Sequence, residues 1–258
     1  MLMNFERRGT GRPLVLVHGL GGSARSWDTV APQLAASREL IVLEMPGHGR
    51  TPPLAGPPTI AAYADAIAQF LDTQGLQAAD MVGSSVGARL VLELSRRGMG
   101  GHCVALDPGG FWQGWETHFF HITLAASIRL VRLLQPVMPF LSRHAFTRML
   151  LLAQLSARPW ALAPEIVLTE MRSFAATPVF DAMLHELAVG PLQQGTTTTP
   201  GRVTIGWGVN DRLLLLRQAA RAQAAFPAAR LHLFGKCGHF PQWDQPADTI
   251  RVIQETIG

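Results

Sequence analysis

The chain has 258 residues, of which 48% are hydrophobic and 16% are charged. This composition excludes a disordered chain and is sufficient for one large α/β domain with a substantial core. The net charge is +4 at pH 7, but the basic residues are scattered and no basic run exceeds two residues, so nucleic-acid binding is not expected.

The chain carries two cysteines, Cys103 and Cys237, without the spacing of a disulfide framework or a metal site. We expect both to be buried thiols in a reducing compartment. Residues 1–11 contain no apolar stretch of signal-peptide length, and the apolar stretch 119–141 is interrupted by arginines and prolines. The sequence therefore predicts a soluble, cytoplasmic protein without a membrane span, and it implies no metal or organic cofactor.

Short apolar runs alternate with segments of helical spacing along most of the chain. Residues 14–17 are continuously apolar, as expected for a parallel strand that is covered on both faces. Similar patterns predict strands at 41–43, 81–82, 104–106, 202–205 and 230–234, and helices at 60–71, 88–94, 213–225 and from about 246. This alternation predicts an α/β fold, with a parallel sheet and helices on both of its faces.

The alternation stops between residues 111 and 195. This stretch contains no compact buried strand, is rich in Leu, Met, Phe and Trp, and is punctuated by prolines. It is followed by the polar run 193–201, which reads as a linker. We therefore expect residues 1–110 and 196–258 to form the core, and residues 111–195 to form an inserted helical cap.

A Gly-x-Ser-x-Gly motif, Gly83-Ser84-Ser85-Val86-Gly87, follows the predicted strand at 81–82 and precedes a predicted helix. A serine at the tip of such a turn adopts a strained backbone conformation, and its neighbours two residues away crowd the strand against the helix. Glycines at those two positions remove the clashing side chains. The motif in this context predicts a nucleophile elbow with Ser85 as the nucleophile.

A serine hydroxyl needs a base to take its proton and a carboxylate to orient that base. Of the nine histidines, His239 lies in a glycine-bracketed loop directly after the last predicted strand. Asp211 also follows a strand and is the preferred acid, although it could instead cap the helix that follows. Asp107 ends another strand and is an alternative acid. All of these positions lie at strand carboxyl ends, where open α/β sheets build their sites.

These motifs together resemble the α/β-hydrolase superfamily. The resemblance rests on Gly83 to Gly87 and on four further motifs, His18-Gly19-Leu20-Gly21-Gly22, Gly47-His48-Gly49-Arg50-Thr51, Gly208-Val209-Asn210-Asp211 and Gly238-His239. It implies an oxyanion hole formed by the backbone N–H groups of Leu20 and Val86. It also implies a mostly parallel sheet, here of about seven strands because only one strand fits before residue 14, at about 3–7, and a cap at the position of the insertion.

If the insertion covers the site, its apolar side chains are expected to line the substrate pocket. The candidates are Phe111, Trp112, Phe119, Phe120, Met138, Phe140, Met149, Leu152, Trp160 and Met183. Their composition favours an uncharged, hydrophobic small-molecule substrate.

The resemblance leaves several functions open. The first hypothesis is a carboxylic-ester hydrolase of the serine esterase type, acting through an acyl-enzyme. Capped relatives also hydrolyse carbon–carbon bonds of meta-cleavage products, although they often carry Asn and Trp where this chain has Ser84 and Phe240. Acyl transfer or perhydrolysis would use the same residues. A ligand-binding protein with little turnover is a further alternative, whereas epoxide and haloalkane hydrolysis are disfavoured because Ser85 stands where those relatives carry Asp. The sequence does not predict the oligomeric state.

Overall fold

A computed structural model describes residues 3–258. The seven strands form one sheet, in the order β1-β3-β2-β4-β5-β6-β7. They are β1 Phe5–Arg8, β2 Arg12–Val17, β3 Arg38–Leu43, β4 Asp80–Ser84, β5 Cys103–Leu106, β6 Val203–Gly208 and β7 Arg230–Phe234. Only β1 is antiparallel to its neighbour, β3, and the remaining pairs are parallel. The predicted mostly parallel sheet of about seven strands is confirmed.

The α-helices occupy both faces of the sheet and the segment between β5 and β6. They are α1 Ala31–Leu34, α2 Ile60–Thr73, α3 Val86–Arg96, α4 Trp115–Leu133, α5 Met138–Arg143, α6 Ala145–Leu151, α7 Pro164–Ala176, α8 Phe180–Val189, α9 Arg217–Ala225, α10 Pro241–Asp244 and α11 Pro246–Ile257. Short 3₁₀ helices cover Ala24–Trp27, Gln135–Val137 and Pro159–Ala161.

The continuous apolar runs of the central strands follow from burial on both faces. In β2, Val15 and Val17 join the core cluster that includes α2 and α3, whereas Leu14 and Leu16 join the cluster on the opposite face with α11. Successive side chains of a strand point to opposite faces, so a strand covered on both sides must be apolar at every position.

The residues from 111 to 195, here called the cap region, contain α4 to α8 and no strand. Several hydrogen bonds join the cap region to loops at the carboxyl ends of the strands, among them two between buried or half-buried groups. The Ser173 hydroxyl donates to the Gly21 carbonyl at 2.7 Å, and the His239 N–H donates to the Leu155 carbonyl at 2.8 Å. The cap region therefore lies over the sheet edge at which the candidate catalytic residues lie.

Two elements begin later than the sequence patterns predict. β1 begins at Phe5 rather than near residue 3, and α9 begins at Arg217 rather than at 213. The delay of α9 has a local cause, because Asp211 Oδ1 accepts the N–H groups of Leu213 and Leu214 at 2.8 and 3.0 Å. These two bonds hold a non-helical turn between β6 and α9.

Candidate active site

Ser85 occupies the turn between β4 and α3 with φ of +56°. This positive φ is a strained conformation for a residue with a side chain. The turn is tight enough to exclude any side chain at the flanking glycines. A Cβ at Gly83 would lie 2.2 Å from the Gly87 carbonyl oxygen, and a Cβ at Gly87 would lie 2.1 Å from that of Val17. The glycine spacing of the motif therefore has a steric cause in this fold.

Ser85, His239 and Asp211 form a continuous hydrogen-bonded chain. His239 Nε2 lies 2.9 Å from Ser85 Oγ, and His239 Nδ1 lies 2.8 Å from Asp211 Oδ2. Since a carboxylate only accepts, Nδ1 carries the proton that it donates to Asp211, and Nε2 is left to accept from the Ser85 hydroxyl. His239 and Asp211 are buried, which excludes competing water from the hydrogen bond between them.

Asp107, the alternative acid, lies beside this chain at the end of β5. Its Oδ1 accepts the Gly208 N–H at 2.8 Å, and its Oδ2 is buried without a hydrogen-bond partner. Burial first, and then the negative charge of Asp211, raise the pKa of the Asp107 carboxyl well above its usual value. His239 Nδ1 makes its hydrogen bond to Asp211 and not to Asp107.

Asp107, Asp211 and His239 are the one group in residues 3–258 whose spacing would suit a metal ion. Single ligand atoms of Asp107, Asp211 and His239 lie within 4.8 Å of one another. Both oxygens of Asp211 and one of Asp107 already accept hydrogen bonds, and His239 Nδ1 is a donor. The donor set therefore fits a hydrogen-bonded triad better than a metal centre.

Two other buried histidines hold the loop that follows β2. Burial, and then the neighbouring His48, lower the pKa of His18 to about 3, and burial lowers that of His48 to about 4. Both rings are therefore neutral at pH 7. Each donates from Nδ1 to a backbone carbonyl and accepts at Nε2, His18 from the Met45 N–H at 3.1 Å and His48 from the Gly21 N–H at 3.0 Å. Their role in the structure is to position this loop.

Two candidate oxyanion-hole donors lie at the cavity beside Ser85, Leu20 in this loop and Val86 at the start of α3. Leu20 and Val86 both line that cavity. Val86 is the first residue of α3, so its N–H has no intrahelical acceptor and points along the positive end of the helix dipole. The Leu20 N–H donates to no backbone acceptor within residues 3–258, whereas the neighbouring Gly21 N–H is occupied by His48. The two residues whose N–H groups the resemblance implied as donors therefore line the same cavity as Ser85.

The cavity beside Ser85 is predominantly apolar and has no charged wall. His239 is its one titratable lining residue, and the other polar side chains are Ser85, Ser127 and Gln154. The remaining walls are Leu20, Val86, Phe120, Leu124, Ile128, Val131, Leu151, Leu155, Met171, Phe174, Phe180, Leu213 and Phe240. A cavity of this kind suits an uncharged, hydrophobic ligand.

Of the residues predicted to line the pocket, Phe120 is at the cavity beside Ser85 and the others lie elsewhere. Phe111, Trp112, Met138, Leu152 and Met183 are buried but lie in the packing of the cap region and its base rather than at the cavity. Phe119 packs edge-to-face on Trp115 at 5.6 Å. Phe140, Met149 and Trp160 are exposed, at 62%, 44% and 50%. Helices of an inserted cap must first bury an apolar face against one another, and composition alone does not tell which face that is.

The residues that line the cavity follow a spacing along the sequence, which a count of residue types does not detect. On α4 they recur at Phe120, Leu124, Ser127, Ile128 and Val131, which is the spacing of one helix face. Gln154, which lies after α6, has no distinguishing pattern in the sequence. Gln154 Nε2 donates to Thr123 Oγ1 at 2.7 Å and so joins the segment after α6 to α4 across the cavity.

A family model described as the alpha/beta hydrolase family matches residues 14–252. The chain therefore belongs to the alpha/beta hydrolase family. In sequence it is 28% identical over 269 residues to the dihydrolipoyllysine-residue acetyltransferase component of the acetoin cleaving system of Cupriavidus necator. That alignment covers 99% of this chain but only 66% of the length of that relative.

Two further proteins similar to this chain are a hydrolase and an esterase. The chain is 24% identical over 260 residues to the 2-hydroxy-6-oxo-6-phenylhexa-2,4-dienoate hydrolase of Burkholderia cepacia, covering 94% of this chain and 86% of that one. A solved thermophilic esterase from Thermogutta terrifontis, with malate bound, superposes with a TM-score of 0.76 at 19% identity, covering 98% and 92% of the two chains. This last likeness shows the fold and not the substrate.

Proposed function

We propose that this protein is a serine hydrolase that cleaves carboxylic esters of hydrophobic, uncharged substrates. The observation that carries the proposal is the hydrogen-bonded chain from Ser85 through His239 to Asp211, which opens into an uncharged apolar cavity. A serine hydroxyl that lies 2.9 Å from an imidazole nitrogen able to take its proton is an activated nucleophile. The carboxylate of Asp211 stabilises the imidazolium that forms when the serine proton moves to Nε2.

In the proposed mechanism, Ser85 Oγ attacks the ester carbonyl while His239 Nε2 takes its proton. The tetrahedral oxyanion accepts hydrogen bonds from the Leu20 and Val86 N–H groups, and a donor of this type contributes on the order of 3 kcal/mol to the transition state. His239 then donates its proton to the leaving alkoxide, which releases the alcohol and leaves an acyl-enzyme. Water, deprotonated by His239, releases the acid and regenerates Ser85.

Carbon–carbon bond hydrolysis is the second candidate, because the Burkholderia relative is named for a dienoate substrate. A dienoate carries a carboxylate, and burying a carboxylate without a cation or several donors is costly. The cavity beside Ser85 has no Lys or Arg in its lining. This absence of a counter-charge favours an ester over a dienoate as the substrate.

Acyl transfer would follow the same acylation step and would differ only in the group that accepts the acyl chain. The name of the Cupriavidus relative describes an acetyltransferase component, so an acceptor other than water is a variation of the proposed mechanism. Adding a primary alcohol to the assay separates the two. Transfer predicts a new ester and faster release of the first alcohol, whereas simple hydrolysis predicts the free acid alone.

The experiment is turnover of p-nitrophenyl esters from acetate to laurate by the wild type and by Ser85→Ala. We expect activity that peaks at one chain length and is lost in Ser85→Ala by a factor of about 10⁶. Ser84→Ala is the matched control, because Ser84 is the adjacent serine, accepts from Gln242 Nε2 at 3.0 Å and does not line the cavity. Ester turnover that survives in Ser85→Ala would refute the proposal, as would the absence of ester turnover alongside cleavage of a dienoate.

A further inference from the structure

The outer side of the cap region exposes an unusual number of large apolar side chains. Eight of them, here called the cap face, have exposures between 44% and 75%. They are Ile122, Leu130 and Leu133 on α4, Val137 in the 3₁₀ helix that follows, Phe140 on α5, and Phe146, Met149 and Leu150 on α6. Large exposed apolar patches mark surfaces that contact a protein, a ligand or a membrane.

Helix α4 is apolar on two opposite sides. Phe120, Leu124 and Ile128 line the cavity beside Ser85, whereas Leu130 and Leu133 are 51% and 75% exposed on the other side. A surface helix of a protein in water is normally polar on the side that does not face the core. The inner side of α4 faces the other walls of the cavity. Its outer apolar side remains exposed to solvent in the isolated chain.

Helix α6 repeats this arrangement and is held rigidly. Leu151 lines the cavity, and Phe146 and Leu150 are 69% and 66% exposed. The buried guanidinium of Arg148 donates to four backbone carbonyls, with distances between 2.8 and 3.3 Å. These acceptors belong to Ser142, Arg143, Pro159 and Trp160. The turn that presents Phe146 is therefore fixed by a satisfied polar network and is not a loose segment.

The segment that carries the cap face, residues 117–164, has charged side chains of one sign. Between Glu116 and Glu165 the sequence contains five arginines and no Asp or Glu. Arg148 is buried and Arg132 pairs with Asp181 at 2.6 Å. Arg129, Arg143 and Arg158 are exposed, and none of them forms an ion pair within residues 3–258. Aromatic and aliphatic side chains interspersed with unpaired arginines are the composition of helices that lie in a membrane interface.

The helices that carry the cap face only partly meet the length and hydropathy expected of a segment that crosses a membrane. No single helix in residues 3–258 is long and apolar enough to cross a bilayer. Helix Trp115–Leu133 and the segment Gln135–Arg143 satisfy the length and composition criterion together, but they are bent by 61° at the break between them. An element of this shape can rest in an interface with its outer side immersed.

We propose that the cap face docks on the surface of a lipid bilayer that contains anionic lipid. The apolar side chains would enter the boundary between head groups and acyl chains, while Arg129 and Arg143 would contact the lipid phosphates. The like charge of these arginines disfavours a second copy of the chain as the occupant, since two such faces would repel. Docking in this way would place the cavity beside Ser85 one helix layer from the membrane.

The test is co-sedimentation of the full chain with extruded vesicles. One set is phosphatidylcholine alone, and the other contains roughly one quarter phosphatidylglycerol to supply surface charge. We expect preferential binding to the anionic vesicles, weakened by salt because the attraction of the arginines is screened. Equal binding to both sets, or binding to neither, would overturn the proposal.

Variants locate the contact. We expect Leu133→Ser and Phe146→Ser each to weaken vesicle binding by about tenfold, since each removes one large apolar side chain from the interface. Leu233→Ser is the matched control, because Leu233 is 47% exposed but lies on β7, away from the cap region. Arg129→Gln and Arg143→Gln should weaken binding to anionic vesicles only, whereas Arg50→Gln, on an exposed core loop, should not.

Two measurements distinguish weaker vesicle binding from unfolding of a variant and from self-association of the chain. The thermal unfolding midpoint of each variant should equal that of the wild type, because all these side chains are exposed. Sedimentation velocity without vesicles should show a monomer. A dimer that Leu133→Ser and Phe146→Ser dissociate would mean that a second copy covers the cap face, and binding that falls equally in Leu233→Ser would also refute the assignment. Neither readout depends on the catalytic proposal.

Discussion

The carboxyl groups of Asp211 and Asp107 lie side by side behind His239, but only Asp211 bonds to the imidazole. Asp211 Oδ2 accepts from His239 Nδ1 at 2.8 Å, while Asp107 Oδ1 accepts from the Gly208 N–H at 2.8 Å. Asp107 also has a positive φ of +47°. Burial, and then the negative charge of the neighbouring Asp211, raise the pKa of the Asp107 carboxyl well above its usual value. We interpret Asp107 as a structural neighbour that holds the Gly208 backbone, whereas Asp211 orients the imidazole.

This relationship predicts different results for two matched amide variants. Asp211→Asn should lower kcat on p-nitrophenyl butyrate by about 10⁴-fold, because an amide nitrogen cannot stabilise the imidazolium and favours the wrong ring tautomer. Asp107→Asn should keep kcat within about tenfold, since an amide oxygen can still accept from the Gly208 N–H. Steady-state kinetics on both variants checks this. The reverse ranking would make Asp107 the catalytic acid.

The stability of the cap attachment should depend on pH through Glu170. This α7 side chain is buried and accepts from Ser26 Oγ at 3.1 Å, and burial raises its pKa to about 7. Because the folded-state pKa is raised, the protonated form stabilises the fold below the unfolded pKa of about 4.5, and that contribution is lost as the pH rises through 7. The shift corresponds to about 3 kcal/mol.

The variant Glu170→Gln removes this titration and keeps a hydrogen-bond partner for Ser26. We expect its urea unfolding free energy to fall less than that of the wild type between pH 5 and pH 8. Glu165→Gln is the control, because Glu165 is exposed on the same helix. If the wild type and Glu170→Gln lose the same free energy over this range, Glu170 is not the group responsible.

The elbow glycines should tolerate no side chain. Gly87→Ala would place its Cβ 2.1 Å from the Val17 carbonyl oxygen, so we expect it to destabilise the fold by at least about 3 kcal/mol. Gly56→Ala is the control, because no atom lies within 4 Å of a Cβ at that position; it should change stability by less than about 0.5 kcal/mol. Chemical denaturation of both variants is the measurement, and equal stabilities would contradict the tight turn.

The cavity walls predict how chain-length preference can be changed. Ile128→Ala removes a side chain that lines the cavity from α4, so the preference for long over short p-nitrophenyl esters, as a ratio of kcat/KM values, should rise at least about tenfold. Phe140→Ala is the control, because Phe140 is 62% exposed and outside the cavity. If the chain-length preference changed in Phe140→Ala but not in Ile128→Ala, the pocket would be lined as the composition of the segment predicts.

The local parts of the structure could be predicted from the sequence. The strand at residues 14–17 was predictable because burial on both faces requires an uninterrupted apolar run. The contact between Ser85 and His239 followed from two glycine-bracketed turns at strand ends, which a parallel sheet brings to one edge. The position of α9 was predicted less well, because the side chain of Asp211 holds the turn that delays its first residue.

The sequence by itself determined the family, the sheet and the candidate nucleophile and base, since each depends on short-range rules of spacing and backbone conformation. Only the tertiary structure decided which carboxylate reaches His239, because both Asp107 and Asp211 end a strand and their separation from the imidazole depends on loop packing. It also decided that Phe120 faces the cavity while Phe140 faces solvent. The physical reason is that an inserted helix apolar on more than one side takes its orientation from the surfaces it packs against, which lie far away in the chain.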